Sequence, residues 1–221
     1  MNMKFFYSIL LYLLLGQVGT VHAQTTMGRF LEKTPDGIFE FVTNEMFAKM
    51  IDYVNTTIAD VQKMDKFELV NRFEEKSVVD TLSSDYISLS LSSTLQVQMM
   101  ALPLADADTI VCMVKTYAAP EKESVIYFYD LQWKELDSSD YLSLPSSDEL
   151  IARPDTMDVE RYEELLKWVD PRMIFAQILP QQKSVVFSLA TPLLNKDEVM
   201  QVNAILLQRK VKWSGKSFNK S

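Results

Sequence analysis

Side chains able to do chemistry are few in this chain of 221 residues, which has one cysteine and one histidine. A cysteine acts as a nucleophile or metal ligand through its thiolate, and thiolate needs exposure beside a cation or a helix N-terminus. Cys112 lies instead between Val111 and Met113 in the apolar run "TIVCMV". Burial there raises a thiol pKa, so the expectation is a small core side chain and not a reactive centre. His22 belongs to the opening stretch "MNMKFFYSILLYLLLGQVGTVHAQTT". Lys4 precedes an apolar run from Phe5 to Leu15, and Val21-His22-Ala23 offers a small-residue cleavage site. That is the layout of a cleavable secretory signal, with an apolar run too short to span a bilayer. Cleavage after Ala23 takes the only histidine with it. A mature chain without imidazole has no Ser–His–Asp or Cys–His pair, and the usual histidine metal sites are excluded too.

Glycine distribution excludes another class. Gly16, Gly19, Gly28, Gly37 and Gly215 leave no glycine between residues 37 and 215. A glycine-rich loop that brings backbone N–H groups onto a phosphate has no place there, and no cofactor is expected. Carboxylates are the abundant acid–base groups that remain. Asp106 and Asp108 in "LADADT" lie two apart, but a calcium cage needs six or more oxygen ligands, so loop solvation is the reading. A glycosidase needs two acids at a set separation across a cleft, and 30 acidic residues give no means to choose two. The one S-x-x-K match, Ser217 to Lys220, falls in the terminal tail and not early on a helix. A possible binding surface is Tyr127, Tyr129 and Trp133 in "VIYFYDLQW", since aromatic platforms hold sugars and peptides. The competing reading packs these rings beneath a helix with their hydroxyls reaching solvent.

Positioning those side chains falls to a sequence whose period changes along its length. Residues 24–37 read as a poorly structured lead-in. Asn44 is an N-cap candidate for "EMFAKMIDYV", where Met46, Phe47, Met50, Ile51 and Val54 recur at three and four. "DKFELVNRF" reads as a second, weaker helix with Phe67, Val70 and Phe73 on one side. Alternation follows: Ile87, Leu89 and Leu91 against Ser88 and Ser90, then Leu95, Val97 and Met99 against Gln96 and Gln98. Runs 109–115 and 125–130 are apolar on both faces and read as central strands. "SVVDTL" is a candidate fifth strand of this meander. Residues 137–157 form an acidic Ser/Pro linker. In "MDVERYEELLKWVDP" a helical stripe runs through Val159, Tyr162, Leu165, Leu166 and Val169, with Glu163 and Lys167 spaced to pair. Strands "MIFAQIL" and "SVVFSLA", a polar insert "TPLLNKDEV" and a last strand in "AILLQRKVKW" complete the chain; in that last run Ile205, Leu207, Arg209, Val211 and Trp213 share a face. The expected fold is α+β: antiparallel sheets covered on one face by helices, in two related helix–strand units in tandem. The units are 24–136 and 158–221, the second packed against the first.

Without residues 1–23, 21 basic side chains face 30 acidic ones, a balance that argues against duplex nucleic acid as a partner. Arg209, Lys210, Lys212, Lys216 and Lys220 make the tail basic, and the expectation is a solvated strand end. No later window is long and apolar enough for a transmembrane segment.

From "MIDYVN" through "DYISLSLSSTLQVQMMALPL" to "TIVCMVKTYAAPEKESVIYFYDLQWKEL", the chain resembles a domain-of-unknown-function family of exported Bacteroidetes proteins. The resemblance spans roughly residues 44–195, and the run from Asp85 to Trp133 is its most specific part. It implies a small protein of the periplasm or outer envelope, with no assigned reaction, cofactor or catalytic residue. Two functions follow as expectations. The first is a non-catalytic exported protein that binds a protein or an envelope component, such as a glycan, through a sheet face. The alternative is a carboxylate-dependent hydrolase acting on glycan or peptidoglycan.

Overall fold

The computed structural model describes residues 26–220 apart from 40, 60–66, 107, 119–120 and 192–193. The opening stretch with Lys4 and His22, and the side chains of Asn44 and Val54, lie outside the described residues. Helices α1 (Thr26–Glu32) and α2 (Asn44–Ala59) open the fold. Seven strands follow as an antiparallel meander in chain order: β1 (Glu68–Val70), β2 (Lys76–Leu82), β3 (Tyr86–Ser90), β4 (Leu95–Pro103), β5 (Thr109–Ala118), β6 (Lys122–Asp130) and β7 (Glu135–Leu136). Helix α3 (Val159–Trp168) leads into β8 (Met173–Leu179) and β9 (Ser184–Ala190). Helix α4 (Lys196–Val202) separates these from β10 (Arg209–Trp213) and β11 (Phe218–Lys220). The last four strands form a second antiparallel sheet in the order β11-β10-β9-β8. Two antiparallel sheets with four described helices, mostly strand, make an α+β protein.

Register explains why the central strands are apolar on both faces. From β3 to β6 each residue pairs with one of like parity, as in Ile87–Met99–Met113–Tyr127. Odd-numbered side chains therefore share one face and even-numbered ones the other. On the odd face, Ile87, Leu89, Val97, Met99, Val111 and Met113 join Met27, Phe30 and Leu31 of α1 and Met50 of α2 in one core. The even face brings Met100, Leu102, Cys112, Val114 and Phe128 against Ile178, Val185, Phe187 and Val211 of the second sheet. Leu165 of α3 and Val202 of α4 close the same cluster. Cys112 is fully buried there, as its apolar neighbours predict.

Side chains of the first sheet dock the second by its edge. β8 pairs with β9 on one side only. On its other side the Ala176 N–H donates to Ser124 Oγ (2.9 Å) and the Ile178 N–H to Gln98 Oε1 (3.1 Å). Gln98 Nε2 in turn donates to the Tyr86 hydroxyl (2.7 Å), and Thr116 shares a hydrogen bond with Ser124 (2.8 Å). Gln98 is thus buried, although strand alternation alone places it toward water, and Ser88 and Thr116 are buried on the same face. Unpaired N–H groups of a covered strand edge need acceptors, and these polar side chains provide them.

Five local expectations are corrected. The lead-in contains α1, whose Met27, Phe30 and Leu31 are nearly inaccessible. "DKFELVNRF" is not helical where described, because Asn71 turns the chain after β1. Its side-chain oxygen accepts from Phe73 N (2.9 Å) and Glu75 N (3.2 Å), its amide donates to Leu91 O (2.7 Å), and Glu74 adopts a left-handed φ of 63°. Val70 and Phe73 are left 57% and 54% exposed, while Phe67 stacks on Tyr53 at 4.8 Å. The polar insert before the last strands holds α4, started by a reciprocal cap between Asn195 and Glu198. In the last run, Arg209, Val211 and Trp213 share a face, but Ile205 and Leu207 precede the strand and Leu207 is exposed. The basic tail continues past Gly215 into β11, where Phe218 is buried.

Residues 137–157 cross from one sheet to the other and bury Leu142, Leu150 and Ile151. Two backbone hydrogen bonds, Leu207 N to Leu150 O (2.8 Å) and Ala152 N to Ile205 O (2.9 Å), tie this stretch to the chain before β10. Arg209 pairs with Glu149 and Arg172 with Asp148, so the 3-10 turn Ser147–Leu150 is clamped by two guanidinium groups from the second sheet side.

Candidate functional site

Aromatic residues singled out by the sequence lie at the end of β6 on the odd face and in the turn after it. Asp130 builds that turn: its Oδ1 accepts from Gln132 N (2.7 Å) and Lys134 N (3.0 Å). Trp133 takes a left-handed φ of 63°, a costly conformation for a bulky residue. Its ring stacks on Phe30 at 4.0 Å, and its indole N–H donates to Phe30 O (2.7 Å). Tyr129 is buried 5.2 Å from Trp133. Burial, followed by the charge of Glu135 and by Tyr127, pushes the Tyr129 phenol up to about 12. Tyr127 is partly buried, with Lys115 Nζ 5.8 Å from its ring centre. Trp133 holds α1 on the sheet through this stack and bond, and Tyr129 packs behind it.

Asp106 accepts the Asp108 N–H (3.4 Å) within its own loop. No group of three or more histidine, cysteine or acidic side chains converges to hold a metal among the described residues. Burial drives the Cys112 thiol pKa upward, which keeps it protonated.

A different place in the fold has the form of a binding site. β6 pairs with β5 along its whole length but with β7 only at Phe128 and Tyr129. β7 stops at Leu136 because the next residue turns the chain: Asp137 Oδ1 accepts from Ser139 N (2.9 Å) and Ser139 Oγ (2.7 Å). Those bonds hold the Asp137 carboxyl below the usual carboxylate range. The chain then departs through a 3-10 turn at Ser138–Asp140, and Tyr141 packs on Phe128 at 5.1 Å. It returns past the front of β6 at Leu144 and Pro145. Between them and β8 lies a groove of about 190 Å³, lined by Ser124, Ile126, Leu144, Pro145, Ile174 and Phe187. Its rim is apolar: Leu144 is 64% exposed and Val125 42%.

Two further depressions differ from it. One of about 310 Å³ lies toward α4 with Lys122 over the Phe175 ring at 5.6 Å, and Glu121 is the only carboxylate lining any of the three. The other, of about 40 Å³, is closed by Ile38 and Lys115, whose ammonium donates to Ile38 O (3.2 Å). The β6 groove has little trace in the sequence, since Leu144 and Pro145 fall in a Ser-rich stretch with the composition of a linker. The signal available was an isolated "LSLP" between polar neighbours.

A seven-stranded meander docked onto the edge of a four-stranded sheet defines the fold, and comparison places it. The chain belongs to a family described as a protein of unknown function (DUF3256), whose model matches residues 18–218. In fold it is similar to the solved structure of a domain of an uncharacterized protein from Porphyromonas gingivalis. That likeness has a TM-score of 0.70 at 16% sequence identity and covers 89% of this chain and 98% of that one. No curated protein matches the chain. Among the described residues no helix is long and apolar enough to cross a membrane.

Proposed function

We propose that this chain is an exported, non-catalytic binding protein of the cell envelope, and that it holds a protein or another envelope component at the groove in front of β6. The observation that carries the reading is the apolar rim of that groove, where Val125 and Leu144 stay exposed beside a length of β6 that pairs with no described strand on that side. Export is supported by the layout of the leader, from Lys4 to the Val21-His22-Ala23 site. Against hydrolysis stands the lining of the described grooves: a single carboxylate, Glu121, cannot divide acid and nucleophile roles.

The test places a photo-crosslinking amino acid at Leu144 in the protein made by its own bacterium, with Met200 as control. Met200 is 68% exposed on α4. Illumination is expected to give an adduct from position 144 and none from 200, in a chain that begins at Gln24 and is released with the periplasm. Equal or absent labelling at the two positions overturns the site, and a chain retaining its leader in the cytoplasm overturns the location.

A further inference from the structure

We infer that the occupant of this groove is an extended peptide segment of a partner protein, which adds to β6 as the next strand of the first sheet; the inference rests on the binding reading above. Backbone geometry carries it. The Asp130 N–H donates across to Lys134 O (3.0 Å), on the β7 side, and Ser138 Oγ donates to Ile126 O (3.4 Å) on that same side. In an antiparallel strand successive residues direct their N–H and C=O groups to opposite neighbours. Even-numbered residues of β6 therefore face outward, and the N–H and C=O of Lys122 and Ser124 point into the lane that β7 vacates at Asp137. These groups repeat at the spacing of a strand and call for the backbone of another extended chain.

The groove supplies the second half of the recognition. A strand in this lane places alternate side chains on the even face, toward Ile126, Leu144, Ile174 and Phe187. A volume of about 190 Å³ is below the roughly 300 Å³ at which sites for whole small ligands begin, yet it takes a large aliphatic side chain. The partner segment thus has an apolar residue at the position facing Leu144, and small or polar residues on the alternate, outward positions. Its affinity comes from main-chain hydrogen bonds to Lys122 and Ser124, and its selectivity from that one pocket.

A displayed library of random linear peptides panned on the mature protein tests this, followed by titration of the selected peptides and hydrogen exchange of their complexes. Selected peptides are expected to alternate apolar and polar residues and to slow exchange of the Ser124 amide by about tenfold or more. Leu144→Asp, a substitution at an exposed position, should weaken them by about tenfold or more, and Met200→Asp should leave them unchanged. Should Leu144→Asp disturb the fold, Leu144→Ala, which removes the same wall without adding a charge, gives the same readout. Failure to select any peptide, protection confined to other strands, or full affinity in both rim variants overturns strand addition. A crosslink from Leu144 to a lipid, a glycan or a folded protein surface, with no peptide bound, removes strand addition and leaves the binding reading standing. Absence of both crosslink and peptide removes both.

Discussion

Replacing Gln98 tests how the two sheets are joined. Its Oε1 accepts the Ile178 N–H at 3.1 Å and its Nε2 donates to the Tyr86 hydroxyl at 2.7 Å. Ile178 is 2% exposed, so no water can take over its N–H once the acceptor is gone. A buried donor left unsatisfied costs about 1–3 kcal/mol. Gln98→Ala adds the loss of packed side-chain volume, roughly 1 kcal/mol more, for an expected total of about 2–4 kcal/mol. Gln98→Met keeps most of the volume and isolates the polar loss, so about 1–3 kcal/mol is expected. Gln177→Ala, at the exposed neighbour in β8, should stay within about 0.5 kcal/mol. Urea unfolding followed by tryptophan fluorescence measures all three. With a slope of about 1–3 kcal/mol/M, Gln98→Met moves the midpoint down by about 0.3–3 M without changing the slope. If Gln98→Met unfolds with Gln177→Ala, the capping bonds do not hold β8, and apolar packing alone joins the sheets.

Cys112 should resist a thiol reagent in the folded protein and react once in denaturant, because burial raises its pKa and denies access; rapid, stoichiometric labelling without denaturant would sink this. Phe30→Ala and Trp133→Ala should each cost about 3–5 kcal/mol, since the rings stack at 4.0 Å and α1 depends on both; a Phe30→Ala midpoint equal to wild type would make α1 an appendage. Stability should fall as pH rises from near 10 to about 12, since Tyr129 holds its proton to about 12 in the folded state and ionises earlier when unfolded. The raised folded pKa contributes fully below the unfolded value and is lost on passing the folded one. Tyr129→Phe should flatten that limb of a melting-temperature profile, and an unchanged limb would assign the loss to other groups.

Strand content was legible in the sequence because it follows from contacts one and two residues apart. The alternation from Ile87 to Met99, and the runs around Cys112 and Phe128, became β3 to β6; "MIFAQIL" and "SVVFSLA" became β8 and β9. Met46, Phe47, Met50 and Ile51 join one core, as their spacing predicts. What escaped depends on groups far apart in the chain. Gln98 reads as solvent-facing until β8, 80 residues later, lays its edge across it. Asn71 and Phe73 read as part of a helix because the turn is made by a side chain bonded to Leu91, 20 residues on. Trp133 read as a platform candidate because its stacking partner, Phe30, is 103 positions earlier in a stretch with no period of its own. The β6 groove is the extreme case: it exists only because β7 ends early, and the residue that ends it, Asp137, has the type of any loop aspartate.

How the fold treats its other strand edges bears on the reading of β6. Open edges invite pairing with other chains, and proteins blunt them by shortness, charge or cover. β1 is three residues long, and Lys76 of β2 reaches Glu68 on it at 3.2 Å. β11 is also three residues and ends in Lys220, which approaches Glu149 at 3.7 Å. β8, seven residues long, is covered by Gln98 and Ser124. β6 has nine residues, and β7 pairs with two of them. Lys122 and Glu123 guard its first positions, but Ser124, Val125 and Ile126 carry no charge, and Leu144 and Pro145 form an apolar wall in front of them. Among the described residues this edge is long, uncharged from Ser124 to Ile126 and beside a pocket of side-chain size, which is what the proposed strand addition to β6 requires.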